Sequence, residues 1–574
     1  MTLEEKVFAG MGLTKADLVL ENCRIVNVNT REITEGSIAI TSGFISGIGD
    51  VDELAGEKTR KIDVKNAHVS PGLIDGHVHF ESSMLTLTQF ARQSLIHGTT
   101  GMIIDPHEIA NVLGTKGIRL VMKEASFLPV DIFFTIPSCV PSTPLETSGA
   151  KLGVAEIKKL IVSKQVVGLG EVMDYPEVLR GNPDILGKIA AAFKMKLVVD
   201  GHAPGLRGRE LAGYIACGIS SDHESITFEE ILEKARLGMK IMLREGSAAK
   251  SLHDFIPKLL ESGISLENFF FATDDKHPAD IIKGHMDAHV RQAISLGIEP
   301  VQAISMATLN TARHFRIDHL IGSISIGRKA NLVILDDMQD FRIRCVVTNG
   351  EINPGIKDIK YPKYVLETVK YKKILPDDLK IHSGKRIVRA NVIGIVPEQL
   401  ITERRVEELV TEQTFVQPDI ERGILPIAVI ERHGKTGNIG KGFVSGFNLE
   451  NGAFGQSIGH DSHNIIVIGT NFEDMAFCAN RIKKLHGGIV IANGTIVEEM
   501  PLPFAGILST TGAHETDMKL GNLHAAIKNM GCKLDAPFIQ ASFLTLPVIP
   551  SLKITDCGMV DVDAFKIIKP LEET

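Results

Sequence analysis

Between residues 71 and 320 the chain alternates short apolar runs with stretches of helical periodicity eight times, a rhythm that few folds accept. The runs end near His79, Asp105 (GTTGMIID), Pro137 (VDIFFTIP), Glu171 (VVGLGE), His202 (KLVVDGH), His223 (GISSDH), Arg244 (KIMLR) and Asp274 (FFFATD). Helical patterns fall between them, among others at 87–97, 153–164, 184–193 and 228–237. Eight strand–helix repeats in about 250 residues predict a (β/α)8 barrel of the TIM type, whose chemistry sits at the C-terminal ends of its strands. A doubly wound sheet is the competing arrangement, but it gives no reason for polar residues at so many strand ends.

The flanks have another texture. Residues 17–70 read as short strands bounded by Gly, Asn and Asp, and related runs return at 322–324, 330–335 and 345–350. The expectation is one small β-sandwich domain built from 1–70 plus 321–375, around a barrel at 71–320. Residues 376–574 read as a separate α/β domain, with strands near 386–392, 424–430 and 464–468 and a helix over 471–485. The fold class expected for the whole chain is therefore α/β.

Composition excludes some partners. The formal net charge is −8, from 62 basic and 70 acidic side chains, with no long basic run, which argues against a nucleic-acid partner. No apolar run approaches the roughly 18 residues that a membrane-spanning helix needs. The opening MTLEEKVFAG has no apolar core of a secretory signal. Seven cysteines, scattered and without a CxxC pair, suit a reducing cytoplasm rather than a disulfide framework.

The strand-end residues include a set of metal-binding types. In a strand, His77 and His79 point to the same side, so two imidazoles on one rigid element can grip one cation. In a barrel they converge with Glu171, His202, His223 and Asp274 over one central opening. Four imidazoles and two carboxylates serve two ions if one carboxylate bridges. Glu171, midway in the order, is the candidate bridge, with His77, His79 and Asp274 on one ion and His202 and His223 on the other. Two divalent ions would acidify a shared water and make a nucleophile near neutral pH. Mixed imidazole and carboxylate ligands accommodate Mn²⁺, Fe²⁺ and Zn²⁺.

Other motifs are read as bland. His285 and His289 have the spacing of a zinc-protease helix, but Met286 stands where the Glu is required, and surface histidines are expected. The run 434–442 (GKTGNIGKG) resembles a phosphate loop with the wrong spacing and reads as a flexible turn. A loop role is the default for His460 and His463, with an approach to the barrel mouth of this or a neighbouring subunit as the alternative. Absence of CxxC excludes the HxE…PCxxC deaminases.

The HxH after strand 1, the single His after strands 5 and 6 and the Asp after strand 8 resemble the amidohydrolase superfamily, and so does 306–312 (MATLNTA). The sharper resemblance is to the bacterial and archaeal adenine deaminase family. It is carried by 77–83 (HVHFESS), 105–112 (DPHEIANV), 170–173 (GEVM), 200–205 (DGHAPG), 221–225 (SDHES), 272–278 (ATDDKHP) and, in the C-terminal domain, 459–464 (GHDSHN). Many superfamily members place a carboxylated Lys after strand 4, where this chain has Glu171.

The resemblance implies hydrolysis of adenine to hypoxanthine and ammonia, by attack of a metal-bound hydroxide on purine C6. It tilts the metal toward Mn²⁺ or Fe²⁺. Asp274 is the candidate acceptor of the water's proton. Glu81 and Glu108 are candidate proton carriers, with Glu224 a rival, and Glu81 has a structural role as its alternative. His107, Arg244 and Asp275 are candidate contacts to the purine edge, although a salt bridge would account equally well for Arg244. The rival readings are a cyclic-amide hydrolase of the dihydroorotase or hydantoinase kind and a metal-free scaffold relative. A homo-oligomer, with a dimer as the general expectation, completes the reading.

Overall fold

The computed structural model describes residues 1–247, 249–397 and 399–572. Eight parallel barrel strands occupy the middle of the chain. They are β1 (Leu73–His79), β2 (Thr99–Ile104), β3 (Asp131–Ile136), β4 (Val166–Val172), β5 (Val198–Gly201), β6 (Ser221–Asp222), β7 (Lys240–Arg244) and β8 (Phe269–Ala272, resumed at Asp274–Asp275). Pairing runs without interruption from β5 through β4, β3, β2 and β1 to the end of β8, and from β6 through β7 to the start of β8. Ser220 N–H donates to the Val199 carbonyl at 3.0 Å and links β5 to β6, which closes the ring.

The barrel is filled below and polar above. Ile74, Ile103, Phe133, Val167, Val198, Met242 and Phe270, one from each of seven strands, pack together with Ile317 and Ile321. Burying this apolar layer, at about 25 cal/mol per Å² removed from water, holds the strands that carry the site. The pairing of β1 with β2 shifts register between Asp75 and Val78. Such an irregularity re-aims the side chains beyond it, and His77 and His79 lie just there. Gly76 is required in the same stretch, since a Cβ would come within 2.7 Å of the Phe270 ring and the Phe271 carbonyl.

Local signals explain the helices between the strands. Asn182 caps Pro183–Lys194 by accepting from Asp184 N–H, and Thr227 caps Phe228–Arg236 by accepting from Glu230 N–H. Both leave an apolar stripe on the strands, with Ile185, Ile189 and Ile231 buried.

An eight-stranded sheet joins the two flanks. Strand His68–Pro71, from the first flank, pairs antiparallel with Leu332–Asp337 from the second, Val69 opposite Ile334. Beyond it, the C-terminal region builds a nine-stranded sheet, antiparallel except where Ile387–Ile395 pairs with Ile439–Ser445. Helix Phe472–Leu485, capped by Asn471, packs on this sheet, and a three-stranded sheet (Leu552–Thr555, Gly558–Asp561, Lys566–Ile568) completes the region. Among the described residues no helix is long and apolar enough to cross a membrane.

The C-terminal region reaches the barrel through the segment after β3. Thr147 N–H donates to Asp556 at 2.8 Å, Asn464 donates to the Thr147 carbonyl at 3.0 Å, and Lys435 donates to the Ser148 carbonyl at 2.7 Å.

Candidate metal centre

His77 and His79 are buried at the end of β1. His77 Nδ1 lies 3.1 Å from Asp200 Oδ2, and His79 Nδ1 lies 2.9 Å from the Asp105 carbonyl oxygen. Both partners accept, so each Nδ1 carries the proton and each Nε2 presents a lone pair. The two Nε2 atoms face each other at 3.0 Å.

Glu171, at the end of β4, extends one oxygen to each half of the site. Its Oε1 lies 2.8 Å from His79 Nε2 and 3.4 Å from His77 Nε2. Its Oε2 lies 2.8 Å from His202 Nδ1 and 3.6 Å from His223 Nε2. Asp274 Oδ1 closes the first set, 3.2 Å from His79 Nε2 and 3.7 Å from His77 Nε2. Asp274 adopts a left-handed backbone (φ 58°), a conformation uncommon outside glycine that persists where its surroundings enforce it.

This geometry and these donors fit divalent cations. A cation about 2.1 Å from each ligand spaces those ligands roughly 3.0–3.4 Å apart, and the distances within the first set, 2.8–3.7 Å, bracket that spacing. Four electron-rich atoms, His77 Nε2, His79 Nε2, Glu171 Oε1 and Asp274 Oδ1, converge there, an arrangement that a positive charge offsets. Glu171 Oε1 and both ring nitrogens of His223 are buried without hydrogen-bond partners. His77, His79 and Glu171 form one cluster of ligand atoms, and Glu171, His202 and His223 another. Burial opposes protonation of the imidazoles. The Asp200 and Glu171 carboxylates nevertheless hold His77 at about 10, and Glu171 and Asp274 hold His79 well above its usual range.

The remaining sequence-predicted residues divide. Arg244 forks between Glu224, at 2.9 Å for Nη2 to Oε2, and Asp274 Oδ2, so it is a salt-bridge partner that also orients Asp274. Asp275 accepts from Ser82 Oγ. His107 Nδ1 lies 3.8 Å from Glu171 Oε1, and its ring meets that of His79 edge-on at 4.4 Å. Glu81 is buried in the turn Phe80–Ser83, and burial pushes its carboxyl up to about 8; its Oε2 has no partner. Glu108 opens the helix His107–Ala125 and contacts His107, His460 and His463. Burial would raise its pKa, but the imidazoles of His460 and His463 hold it well below the usual carboxylate range.

Two readings of isolated motifs are corrected. His285 and His289 are fully buried rather than on the surface. His285 Nδ1 meets Thr99 Oγ1 at 2.7 Å and its Nε2 lies 3.1 Å from Asp75 Oδ2, while His289 Nε2 meets the Ala272 carbonyl at 3.1 Å, so polar groups inside the protein flank both rings. The turn at 434–438 is not loose: the amides of His433, Lys435, Thr436 and Gly437 all donate to the buried Glu431 carboxylate at 2.6–3.1 Å.

Asp105 and Asp200 went unassigned as supports for the imidazoles. Asp200 precedes His202 by two positions on one strand end, and that D-x-H spacing was the available signal. Gly170 leaves room for Asp105, since a Cβ there would lie 1.9 Å from Asp105 Oδ2.

Two family models match the chain: an amidohydrolase family over residues 68–353 and an adenine deaminase C-terminal domain over 399–566. An adenine deaminase of Methanococcoides burtonii is 52% identical over 100% of this chain and 99% of its own. Those of Archaeoglobus fulgidus (42%, 97% of this chain and 96% of its own) and Dehalococcoides mccartyi (41%, 99% of both) are similar throughout. The superfamily implies a divalent metal centre at the barrel mouth, where the convergent ligands lie. The chain belongs to the adenine deaminase family of the amidohydrolase superfamily.

Proposed function

We propose that this protein is an adenine deaminase, hydrolysing adenine to hypoxanthine and ammonia. The observation that carries the reading is Glu171, whose two oxygens face two separate imidazole sets, within a chain 52% identical end to end to an adenine deaminase. His77, His79 and Asp274 would hold one ion and His202 and His223 the other, with Glu171 shared. Mn²⁺ or Fe²⁺ is the proposed metal on the strength of the family resemblance, and the imidazole nitrogen and carboxylate oxygen donors accommodate both of these ions as well as Zn²⁺. When bound, the cations supply Lewis-acid activation of water near neutral pH.

The chain's own groups then handle protons. One C6–N bond breaks and one C6–O bond forms. Of the water's two protons, one ends on ring N1 and the other on the departing ammonia. Asp274 Oδ1 would accept the first proton, a role supported by its approach to both Nε2 atoms and by Arg244 behind it. Glu81, whose buried Oε2 has no partner, and Glu108, whose imidazole neighbours can exchange protons with it, are the proposed carriers to the ring and the amine, whereas Glu224 is held by an arginine that keeps its protons. His107 and Asp275 line the approach as contacts for the purine edge. A homodimer in the cytoplasm is the proposed setting, in keeping with seven unpaired cysteines.

The test is to purify the protein with added Mn²⁺ or Fe²⁺ and follow adenine, adenosine and dihydroorotate in parallel. Ammonia from adenine, with little from adenosine and no ring opening, is expected. Ring opening of dihydroorotate without adenine turnover would replace this reading with the cyclic-amide one.

A further inference from the structure

The loop 457–464, between strands Ala453–Gln456 and Ile465–Gly469 of the C-terminal region, enters the barrel mouth. His460 Nδ1 lies 2.7 Å from Glu108 Oε1, and His463 Nε2 is in contact with Glu108 Oε2. The tautomer of His463 follows from its other side. Gly459 N–H donates to His463 Nδ1 at 3.3 Å, so Nδ1 presents its lone pair and Nε2, the nitrogen in contact with Glu108, carries the hydrogen. The His460 ring packs on Phe543 at 4.5 Å. Its backbone N–H donates to the Ser542 carbonyl at 3.1 Å. His433 holds the Ser462 carbonyl at 2.8 Å. The loop is therefore braced on its own domain while it reaches into the other.

Glu108 stands one imidazole from the metal ligands: its Oε1 is 3.4 Å from His107 Nε2, and His107 Nδ1 is 3.8 Å from Glu171 Oε1. Both oxygens of Glu108 are thus gripped from the far side. We propose that His460 and His463 are positioning residues of the active site, through which the C-terminal domain fixes Glu108 in the orientation that meets the purine. This rests on the adenine deaminase reading. It adds that the site is assembled from two domains, and that docking of the C-terminal region is a condition of turnover.

Four Mn²⁺-loaded full-length chains test it: the parent, His463→Ala, Glu108→Gln and the double variant. His463→Gln serves as rescue, since its amide can still donate to the carboxylate. His460→Phe is a second probe that keeps the ring on Phe543 and removes the donor. Expected is a fall in kcat of about 30-fold or more for His463→Ala and His460→Phe, with KM and manganese content little changed, as for a group that orients a proton carrier. His463→Gln should recover most of the loss. In the Glu108→Gln background, His463→Ala should cost less than about threefold more, because the clamp acts only through Glu108. Wild-type kcat in His463→Ala, or losses that multiply in the double variant, would overturn the proposal.

If the parent released no ammonia from adenine, the reading of the reaction would fall by itself. Melting temperatures of the same four chains would then decide the clamp. Non-additive shifts support it and additive shifts refute it.

Discussion

His77 and His79 turn their Nε2 atoms to 3.0 Å from each other while Asp200 and the Asp105 carbonyl hold the opposite ring nitrogens. Two lone pairs so close require a shared positive charge. Without metal that charge is a proton. Despite burial, the surrounding carboxylates hold His77 up at about 10 and His202 at about 9.

Metal uptake should therefore release protons. Adding Mn²⁺ to metal-free protein at pH 7.5, in weakly buffered solution with an indicator dye, should liberate roughly one to two protons per chain. The sign follows from the raised values: metal competes with protons bound below about 9–10, so apparent affinity should rise steadily with pH from 6 to 9. Uptake without proton release, at an affinity flat across that range, would contradict the geometry.

Gly170→Ala should separate folding from catalysis. A Cβ at 170 would lie 1.9 Å from Asp105 Oδ2, and the Asp105 carbonyl holds His79. Displacing Asp105 should reduce metal affinity or activity by about 10- to 100-fold, the usual cost of disturbing a ligand's support. Activity and metal content at parental levels in purified Gly170→Ala would show that Asp105 has slack.

The barrel was legible because each strand is an apolar run that stops at a polar residue, and burial of the runs and function of the ends are separate demands on adjacent positions. His285 and His289 were misread for a related reason. On an amphipathic helix, histidine suits either face, and only Asp75, Thr99 and the Ala272 carbonyl, all distant in sequence, identify the face as buried. The contacts of Glu108 are legible only as far as the alternative for His460 and His463, an approach to the barrel mouth, which the structure bears out over the default of a loop role. They join it to residues about 350 positions away, on a loop whose path depends on packing of the whole C-terminal sheet. Arg244 stayed ambiguous because an arginine for substrate and one for Asp274 look identical until Glu224 is seen beside it.

Lys553 offers a test of stability against pH. It lies fully buried in strand Leu552–Thr555, with Nζ donating to the Leu400 carbonyl at 2.7 Å. Burial pushes its ammonium from 10.5 down to about 7. Between these values the unfolded chain holds a proton that the folded chain has shed, so the lysine's contribution makes stability rise with pH across that window. Below about 7 the penalty of a buried charge is present in full. Lys553→Met should melt higher than the parent at pH 7, by several degrees, and the advantage should shrink toward pH 10. A difference in melting temperature that does not change with pH would show that Lys553 is not the group responsible.

Glu171 faces an imidazole set with each of its two oxygens at the barrel mouth, and the proposed role of this carboxylate is to join two metal sites. Its most direct test is elemental analysis of purified Glu171→Gln beside the parent, both produced with added Mn²⁺. A glutamine amide presents one oxygen and one NH₂, so it cannot face a cation on each side. The expected result is about two ions per parental chain and no more than about one in the variant, with deamination lost in parallel. Two firmly held ions in Glu171→Gln would contradict the account.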